Sequence, residues 1–238
     1  MKSIIRVIYS SHLGQAFNNK FNDHIYKTIG ISNSFEFSIH PYENYNQYSL
    51  TEVYNKALNE LDKKDAVFVF CHNDIEFDTK DWGKILLNHF NRRNNNYQII
   101  GVAGTTELNS HGCWWLDATG KNMNFSKMIG IVNHDNGVRK WESKYSNPHF
   151  GVKPVVVIDG LFMAVDPEDI EHPFDETYRG FHFYDLSFCF PNYLDGCNIG
   201  VITDIRITHH SIGITNQQWE QNRQQFVTQY ADELPVKI

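Results

Sequence analysis

Apolar strand-like segments alternate with amphipathic helical segments through the first hundred residues. The helical segments 49–61 (SLTEVYNKALNEL) and 81–90 (DWGKILLNHF) place their apolar residues on one face, and Ser49 with Glu52 predicts a capping box for the first helix. The predicted strands are 4–11 (IIRVIYSS), 35–41 (FEFSIHP), 65–72 (DAVFVFCH) and 97–104 (YQIIGVAG). This alternation predicts an α/β fold with a mostly parallel central sheet and helices on both faces. Ligands of such sheets bind beyond the carboxyl ends of the strands.

The pattern becomes less regular after the fourth predicted strand. Segment 155–168 (VVVIDGLFMAVDPE) predicts a strand pair or a bent strand, and segment 199–213 (IGVITDIRITHHSIG) predicts one further strand. Segment 216–230 predicts a closing helix capped by Asn216. Because no repeat, low-complexity tract or linker divides the chain, we expect a single domain over residues 1–238.

Composition and charge exclude several classes of protein. The 238 residues carry a formal net charge of −7, which argues against a protein whose main partner is nucleic acid. No stretch reaches the roughly 20 apolar residues of a membrane span, and the N-terminus lacks the apolar core of a signal peptide. The four cysteines form no CxxC pair, so we expect free thiols in a reducing cytoplasm.

Three common nucleotide and hydrolase motifs are absent from the sequence. There is no GxxxxGK[ST] loop, which excludes a P-loop nucleotidase, and no GxGxxG after the first strand, which disfavours a dinucleotide-binding Rossmann domain. The absence of GxSxG disfavours an α/β-hydrolase. The chemistry must therefore be sought in less common combinations of residues.

A cluster of polar residues follows the most apolar predicted strand. The run VFVFC ends at His72, Asn73 and Asp74, with Glu76 two residues further on. Carboxylate oxygens are ligands for Mg²⁺ or Mn²⁺, which also bind phosphate oxygens. This strand end therefore predicts a metal site for a phosphorylated ligand, and a simple Asn/Asp turn is the alternative.

Two further candidates come from the second half of the chain. His209 and His210 end the last predicted strand, where a pair of imidazoles can bind a metal or simply form a turn. Asp185 lies in the aromatic run GFHFYDLSF, where burial would raise its pKa toward that of a general base. A helix cap is the alternative role for Asp185, and His182 is the alternative base.

Aromatic and glycine positions suggest contacts with a sugar. Trp114 and Trp115 are adjacent, so they cannot share one face of a strand, and one of them is available to stack on a ring. Asp159 and Gly160 interrupt a buried strand, where the glycine permits close approach of a ligand to the backbone. A purely structural core for the tryptophans and a β-bulge at Gly160 are the alternatives.

Taken together and in this order, FCHNDIEF, VVVIDGLFMAV, GFHFYD and ITHHSIG resemble the glycosyltransferase-like proteins of the GT-A fold. The similarity is greatest to the small bacterial branch related to glycosyltransferase family two, and it extends over nearly the whole chain. It implies a nucleotide-binding half at 1–104 and an acceptor-side half at 105–238.

The resemblance also implies roles for individual residues. His72, Asn73 and Asp74 occupy the place of the family's DxD motif, with Asp74 holding Mn²⁺ or Mg²⁺ on the diphosphate of a UDP- or GDP-linked sugar. The resemblance makes Asp185 the catalytic base and completes the metal site with His209 or His210. It places the nucleotide near Ser10, Asn55, Lys56, His72 and Asn73, and the sugar or acceptor near Trp114, Trp115, Asp159 and Gly160.

One position departs from the resemblance, because Asn73 stands where related sequences carry a second adjacent carboxylate. The loss of one negative charge predicts weaker metal binding, or less reliance on the metal.

The resemblance implies an inverting, metal-assisted glycosyltransferase, and it associates such a protein with polysaccharide biosynthesis. A nucleotidyltransferase is one alternative, although it normally needs several carboxylates for two close metal ions. A non-catalytic sugar- or nucleotide-binding protein on the same fold is another. The sequence leaves open whether the acceptor is a glycan, a lipid-linked molecule or a protein, and whether the chain forms a homodimer.

Overall fold

A computed structural model describes residues 1–30, 35–92, 96–211 and 213–238. The helices in these ranges are α1 (Gln15–Thr28), α2 (Leu50–Glu60), α3 (Trp82–Phe90), α4 (Tyr184–Leu194) and α5 (Gln217–Gln229). The strands of the first half are β1 (Ile4–Ser11), β2 (Glu36–Glu43), β3 (Ala66–Cys71), β4 (Ile75–Phe77), β5 (Tyr97–Gly101) and β6 (Ala103–Thr105). The remaining strands are β7 (Glu107–Leu108), β8 (Met128–Asp135), β9 (Lys140–Lys144), β10 (Lys153–Val155), β11 (Val157–Ile158), β12 (Phe162–Val165), β13 (Asn198–Val201), β14 (Ile207–His209) and β15 (Val236–Lys237).

The larger sheet has the strand order β10-β13-β5-β12-β3-β1-β2. The α/β architecture and the mostly parallel central sheet are as predicted, because five of the seven strands run in one direction and only β10 and β12 run against them. Strands β1, β2 and β3 are parallel, whereas β12 runs antiparallel to both β3 and β5. The sequence does not reveal this direction, because a fully buried strand has the same continuous apolar pattern whichever way it runs.

A second sheet has the order β11-β6-β8-β14-β4, with β9 paired to β8. The predicted strand pair at 155–168 is confirmed, since Asp159 and Gly160 separate β11 of this sheet from β12 of the larger one. The prediction of one strand over 199–213 is wrong. That segment divides into β13 and β14, which belong to different sheets. Polar residues Thr203 and Asp204 lie at the break, and Ile212 is outside the described residues.

The helix ends follow the predicted capping chemistry. The backbone amide of Ser49 donates to a carboxylate oxygen of Glu52 at 2.8 Å, which confirms the capping box of α2. The amide of Trp219 donates to the side-chain oxygen of Asn216 at 2.8 Å, which confirms the cap of α5. Helix α1 was not predicted, because its asparagine-rich sequence leaves only a thin apolar stripe to mark it.

The hydrophobic core surrounds β3, all six residues of which are buried. This explains the unbroken apolar run, since both faces of the strand are covered. The four cysteines are free thiols, as predicted. No helix in the described ranges is long and apolar enough to cross a membrane.

Candidate functional site

The pairing of two short strands brings the two polar strand ends together. The chain leaves β3 at Cys71, turns through residues 72–74 and continues as β4. Strand β4 is antiparallel to β14, and in this register Ile75 is opposite His209. The last residue of β14 therefore lies beside the turn that follows β3, although the two are more than 130 residues apart in the sequence.

The side chains of His72, Asp74 and His209 lie close together at this junction. We call these three residues the donor cluster, because each offers an atom with a lone pair to a metal ion. The Nε2 atom of His209 lies 3.4 Å from Asp74 Oδ1 and 3.4 Å from His72 Nδ1. The distance from His72 Nδ1 to Asp74 Oδ1 is 3.7 Å. One donor atom from each residue thus lies within 4.8 Å of the others, and the described residues contain no second such group of His, Cys, Asp and Glu.

The electrostatics of the cluster favour an ionised carboxylate. Burial raises the pKa of Asp74, but the hydrogen bond from His209 and the charges of the two imidazoles outweigh it and hold that pKa well below its usual range. Burial lowers the pKa of His209, and its pairing with Asp74 outweighs this effect and raises the pKa. Burial also lowers the pKa of His72. An anionic carboxylate with two imidazoles suits a divalent cation such as Mn²⁺.

Tyr184 orients the first imidazole of the cluster. Its hydroxyl lies 2.6 Å from Nε2 of His72, the ring nitrogen that does not face Asp74. A metal-ligating histidine commonly donates its second ring N–H to such a partner, which fixes the tautomer and leaves the other nitrogen free to bind. In the tautomer whose Nε2–H donates this hydrogen bond to the Tyr184 hydroxyl oxygen, Nδ1 of His72 presents its lone pair to the cluster.

We expect Tyr184→Phe to weaken Mn²⁺ binding about 10–100-fold, the usual effect of removing an outer hydrogen bond from a metal ligand. The phenyl ring would retain the packing of Tyr184 against Tyr54 and lose only the hydroxyl. Calorimetric titration with Mn²⁺ measures the change. An affinity equal to that of the unaltered protein would show that the hydroxyl does not act on the cluster.

Asp185 lies in the first turn of α4, immediately after Tyr184. Its carboxylate oxygens accept hydrogen bonds from the backbone amides of Gly160 at 3.0 Å and Leu186 at 2.9 Å. Burial, reinforced by the negative charge of Asp159, raises the pKa of Asp185 to about 7. The N-cap position belongs to Phe183, whose φ of 63° is a strained, left-handed conformation. Asp185 is thus not the N-cap residue of α4.

The Tyr184 side chain requires a glycine at position 160. A Cβ atom at this position would lie 2.2 Å from the Tyr184 hydroxyl, far inside any permitted contact. Gly160 also lines the larger of the two cavities described below, so its place beside the sugar or acceptor stays a prediction. Its backbone amide holds Asp185 in place.

Two cavities meet at the donor cluster. The larger has a volume of about 550 Å³ and is lined by His72, His209 and Asp185, whereas the smaller, of about 270 Å³, is lined by His72 and Asp74. His72, Phe181 and Ser211 line both. The described lining of the smaller cavity comes from residues 1–104, apart from Phe181 and Ser211. The described lining of the larger cavity comes from residues 105–238, apart from His72 and Ala103.

Most of the predicted binding residues line one of these cavities. Ser10 and Asn73 line the smaller one, where the amide nitrogen of Asn73 is buried without a hydrogen-bond partner. Trp114, Trp115 and Asp159 line the larger one. Trp114 is 5% exposed and packs edge-to-face on the half-buried Trp115, so both rings border the cavity and Trp115 is the less buried of the two.

Three predicted residues lie outside the donor cluster and line neither cavity. The Asn55 side chain exchanges hydrogen bonds with the backbone of Phe174 and therefore has a structural role. Lys56 is exposed and lies 3.9 Å from Glu60. His210 turns away from the cluster, with Nε2 3.4 Å from Glu76 and Nδ1 3.2 Å from the carbonyl oxygen of Asp135.

Sequence reasoning missed two residues of the site. Tyr184 was treated as part of an aromatic run, although its position next to Asp185 was the available signal. His134, which lines the larger cavity, lies in the sequence VNHD of β8, and no motif distinguishes it. Burial lowers the pKa of His134, as does the nearby His209.

Comparisons with known proteins agree on one kind of relative. A family model described as a glycosyltransferase-like family matches residues 19–230. A search of curated proteins gave no match.

Among solved structures, the chain is similar to GalNAc-T7 with UDP, GalNAc and Mn²⁺. The TM-score is 0.58 at 9% identity, over 97% of this chain and 49% of that one. It is also similar to the mannosyltransferase PcManGT from Pyrobaculum calidifontis in complex with GDP-Man and Mn²⁺, with a TM-score of 0.57 at 11% identity, over 98% of this chain and 64% of that one. The chain thus spans about half of the first protein and under two thirds of the second. Both likenesses confirm the fold predicted from the sequence.

Proposed function

This chain belongs to the glycosyltransferase-like family, and on that premise we propose that it transfers a sugar from a nucleotide-diphosphate donor to a hydroxyl acceptor, with inversion at the anomeric carbon. One observation carries the proposal. Asp185, whose pKa is raised to about 7, lines the same cavity as His72 and His209 of the donor cluster. A base and a metal-ligating group on one cavity can act on the acceptor and the donor at once.

Asp185 is the proposed general base. A carboxylate with a pKa near 7 is partly ionised at neutral pH and is basic enough to accept the proton of an attacking hydroxyl. The amides of Gly160 and Leu186 orient the carboxylate, so little reorganisation is needed when the proton moves. His182 lines the same cavity, but burial lowers its pKa and weakens it as a base.

His72, Asp74 and His209 are the proposed ligands of a divalent cation, with the donor nucleotide in the smaller cavity beside Ser10 and Asn73. Mn²⁺ or Mg²⁺ bound there would offset the negative charge that develops on the leaving diphosphate. The division of the cavity walls supports a donor side at 1–104 and an acceptor side at 105–238. UDP- and GDP-linked sugars are the first donors to test, because the two structural neighbours were solved with UDP and with GDP-Man.

The proposed base predicts a specific pH profile. The ionised form of Asp185 is the active form, so turnover should rise as the pH increases through about 7 and level off above it. Asp159→Asn removes a negative charge that raises the pKa of Asp185, so the rising limb should move to lower pH. Rates measured between pH 5 and 9 on both proteins test this. An unmoved limb would contradict the pairing of the two carboxyl groups.

Product analysis with Mn²⁺ separates this function from its rivals when one set of reactions contains UDP- and GDP-sugars and a parallel set contains UTP or GTP with a sugar phosphate. Sugar transfer to an acceptor or to water releases a nucleoside diphosphate. Nucleotidyl transfer in the direction that consumes a nucleoside triphosphate and a sugar phosphate releases pyrophosphate instead. A binding protein without turnover releases neither product. Phosphorus NMR distinguishes the three outcomes, and pyrophosphate or no product would overturn the proposal.

A further inference from the structure

A row of three aromatic side chains crosses the second sheet beside the donor cluster. His209 of β14 is the register partner of His134 on β8, and His134 is the partner of Trp141 on β9. All three line the larger cavity. The second sheet therefore places His134 and Trp141 in the cavity wall next to His209, a proposed metal ligand, and neither of the two has a role in the proposed reaction.

His134 has unmet hydrogen-bonding capacity in this wall. Its ring stacks on Trp141 with centroids 4.8 Å apart and planes 9° apart. Both of its ring nitrogens are buried without a hydrogen-bond partner. Buried polar atoms are normally paired, so a ring with two unpaired nitrogens is an exception that needs an explanation. A hydroxyl-bearing ligand that displaces the ring slightly can supply the missing partner.

The charge of the larger cavity limits which ligands it can bind. None of its described lining residues is lysine or arginine, whereas Asp159 and Asp185 both line it. Recognition of phosphate normally uses arginine, lysine or a cluster of backbone amides. A phosphorylated acceptor would meet like charge and find no cation away from the donor cluster.

The apolar part of the same cavity is aromatic. Trp115 and Trp219 pack with ring centroids 5.7 Å apart, and Trp141 faces the cavity from β9. At the rim, Phe181 is 45% and Ile214 is 71% exposed. Exposed apolar groups around a cleft indicate a ligand site, and flat rings match the C–H faces of pyranose sugars.

We propose that the acceptor is a neutral, phosphate-free saccharide that binds in the larger cavity and pairs one hydroxyl with His134. This inference rests on the proposed function. It also narrows the acceptor, because it excludes sugar phosphates and polyprenyl phosphates. His134 is a positioning residue, because it would hydrogen-bond to an acceptor hydroxyl other than the one that attacks the donor sugar.

Saturation-transfer NMR without donor tests the binding directly. The probes are lactose, maltose and N-acetyllactosamine, compared with glucose 6-phosphate and farnesyl phosphate. We expect at least one neutral disaccharide to bind, and each phosphorylated probe to bind at least tenfold more weakly. Binding of no neutral disaccharide, or equal binding of a phosphorylated probe, would overturn the inference.

His134→Phe separates a binding role from a structural one. The substitution keeps the ring stacked on Trp141 and removes both unpaired nitrogens, so the unfolding temperature should stay equal or rise. The affinity for the neutral disaccharide should fall about three- to tenfold, the effect of one lost hydrogen bond. Lower stability with unchanged saccharide affinity would show that His134 only supports the fold.

His172→Phe is the matched control, because His172 pairs with Asp195 and lines neither cavity. It should leave saccharide affinity unchanged. Release of nucleoside diphosphate, measured on the same preparation, separates the two possible failures. Release without saccharide binding defeats only the acceptor inference, whereas the absence of release with every donor defeats the proposed function.

Discussion

Asp185→Asn is expected to reduce turnover by about 10²–10⁴-fold, the usual effect of removing a general base. Asparagine has nearly the same shape, and its oxygen can still accept a hydrogen bond from the amide of Gly160 or Leu186. It cannot accept a proton from an attacking hydroxyl. Donor affinity should stay within a few-fold of the original value, because Asp185 is not a member of the donor cluster.

Release of nucleoside diphosphate and calorimetric binding of UDP or GDP measure these two effects separately. His182→Gln is the matched control, because His182 lines the same cavity and is the alternative base. It should retain turnover to within a few-fold, and neither variant should lose more than a few degrees in unfolding temperature. If Asp185→Asn turned over normally while His182→Gln did not, the base would be His182.

Asp74→Asn should reduce both the affinity for the metal and the affinity for the donor nucleotide by about 100-fold or more. Loss of a hydrogen bond to a metal-ligating residue costs about 10–100-fold, and Asp74 is itself a proposed metal ligand. The carboxylate is the only formal negative charge in the donor cluster, and His209 and His72 both pair with it. Without that charge, the site cannot neutralise a cation. Turnover should therefore fall together with donor affinity, unlike the effect of Asp185→Asn.

His210→Ala is the control for the metal site. It lies next to His209 in the sequence but faces Glu76, so Mn²⁺ affinity should be almost unchanged. Titrations of Mn²⁺, and of UDP and GDP with and without EDTA, give the necessary affinities. Equal nucleotide affinity in Mn²⁺ and in EDTA would contradict a metal-dependent donor site.

The sequence predicted the features that depend on local pattern. The continuous apolar run of β3 fixed the position of the turn at His72 and Asp74, because a strand covered on both faces must end where polar residues begin. The caps at Ser49 and Asn216 were predictable because their hydrogen bonds join residues only three positions apart in the sequence. The order of the motifs, taken with the family resemblance, located Asp185.

Features that depend on distant pairing could not be predicted. His72 and Tyr184 are separated by 112 positions, and nothing near either residue indicates their 2.6 Å contact. The choice between His209, the last residue of β14, and His210 depends on the register of β14 against β4, because successive residues along a strand face opposite sides. Asn55 has a suitable side chain for a nucleotide, but tertiary contacts with Phe174 already satisfy it.

The most direct test of sugar transfer at this site is the rate of nucleoside diphosphate release from UDP- and GDP-sugars, measured in Mn²⁺, then in EDTA, then after Mn²⁺ is restored. We predict release from at least one donor in Mn²⁺, loss of that release in EDTA and its recovery with the metal. No release from any donor in Mn²⁺, or the same rate in EDTA, would contradict metal-assisted transfer by Asp185 and the donor cluster.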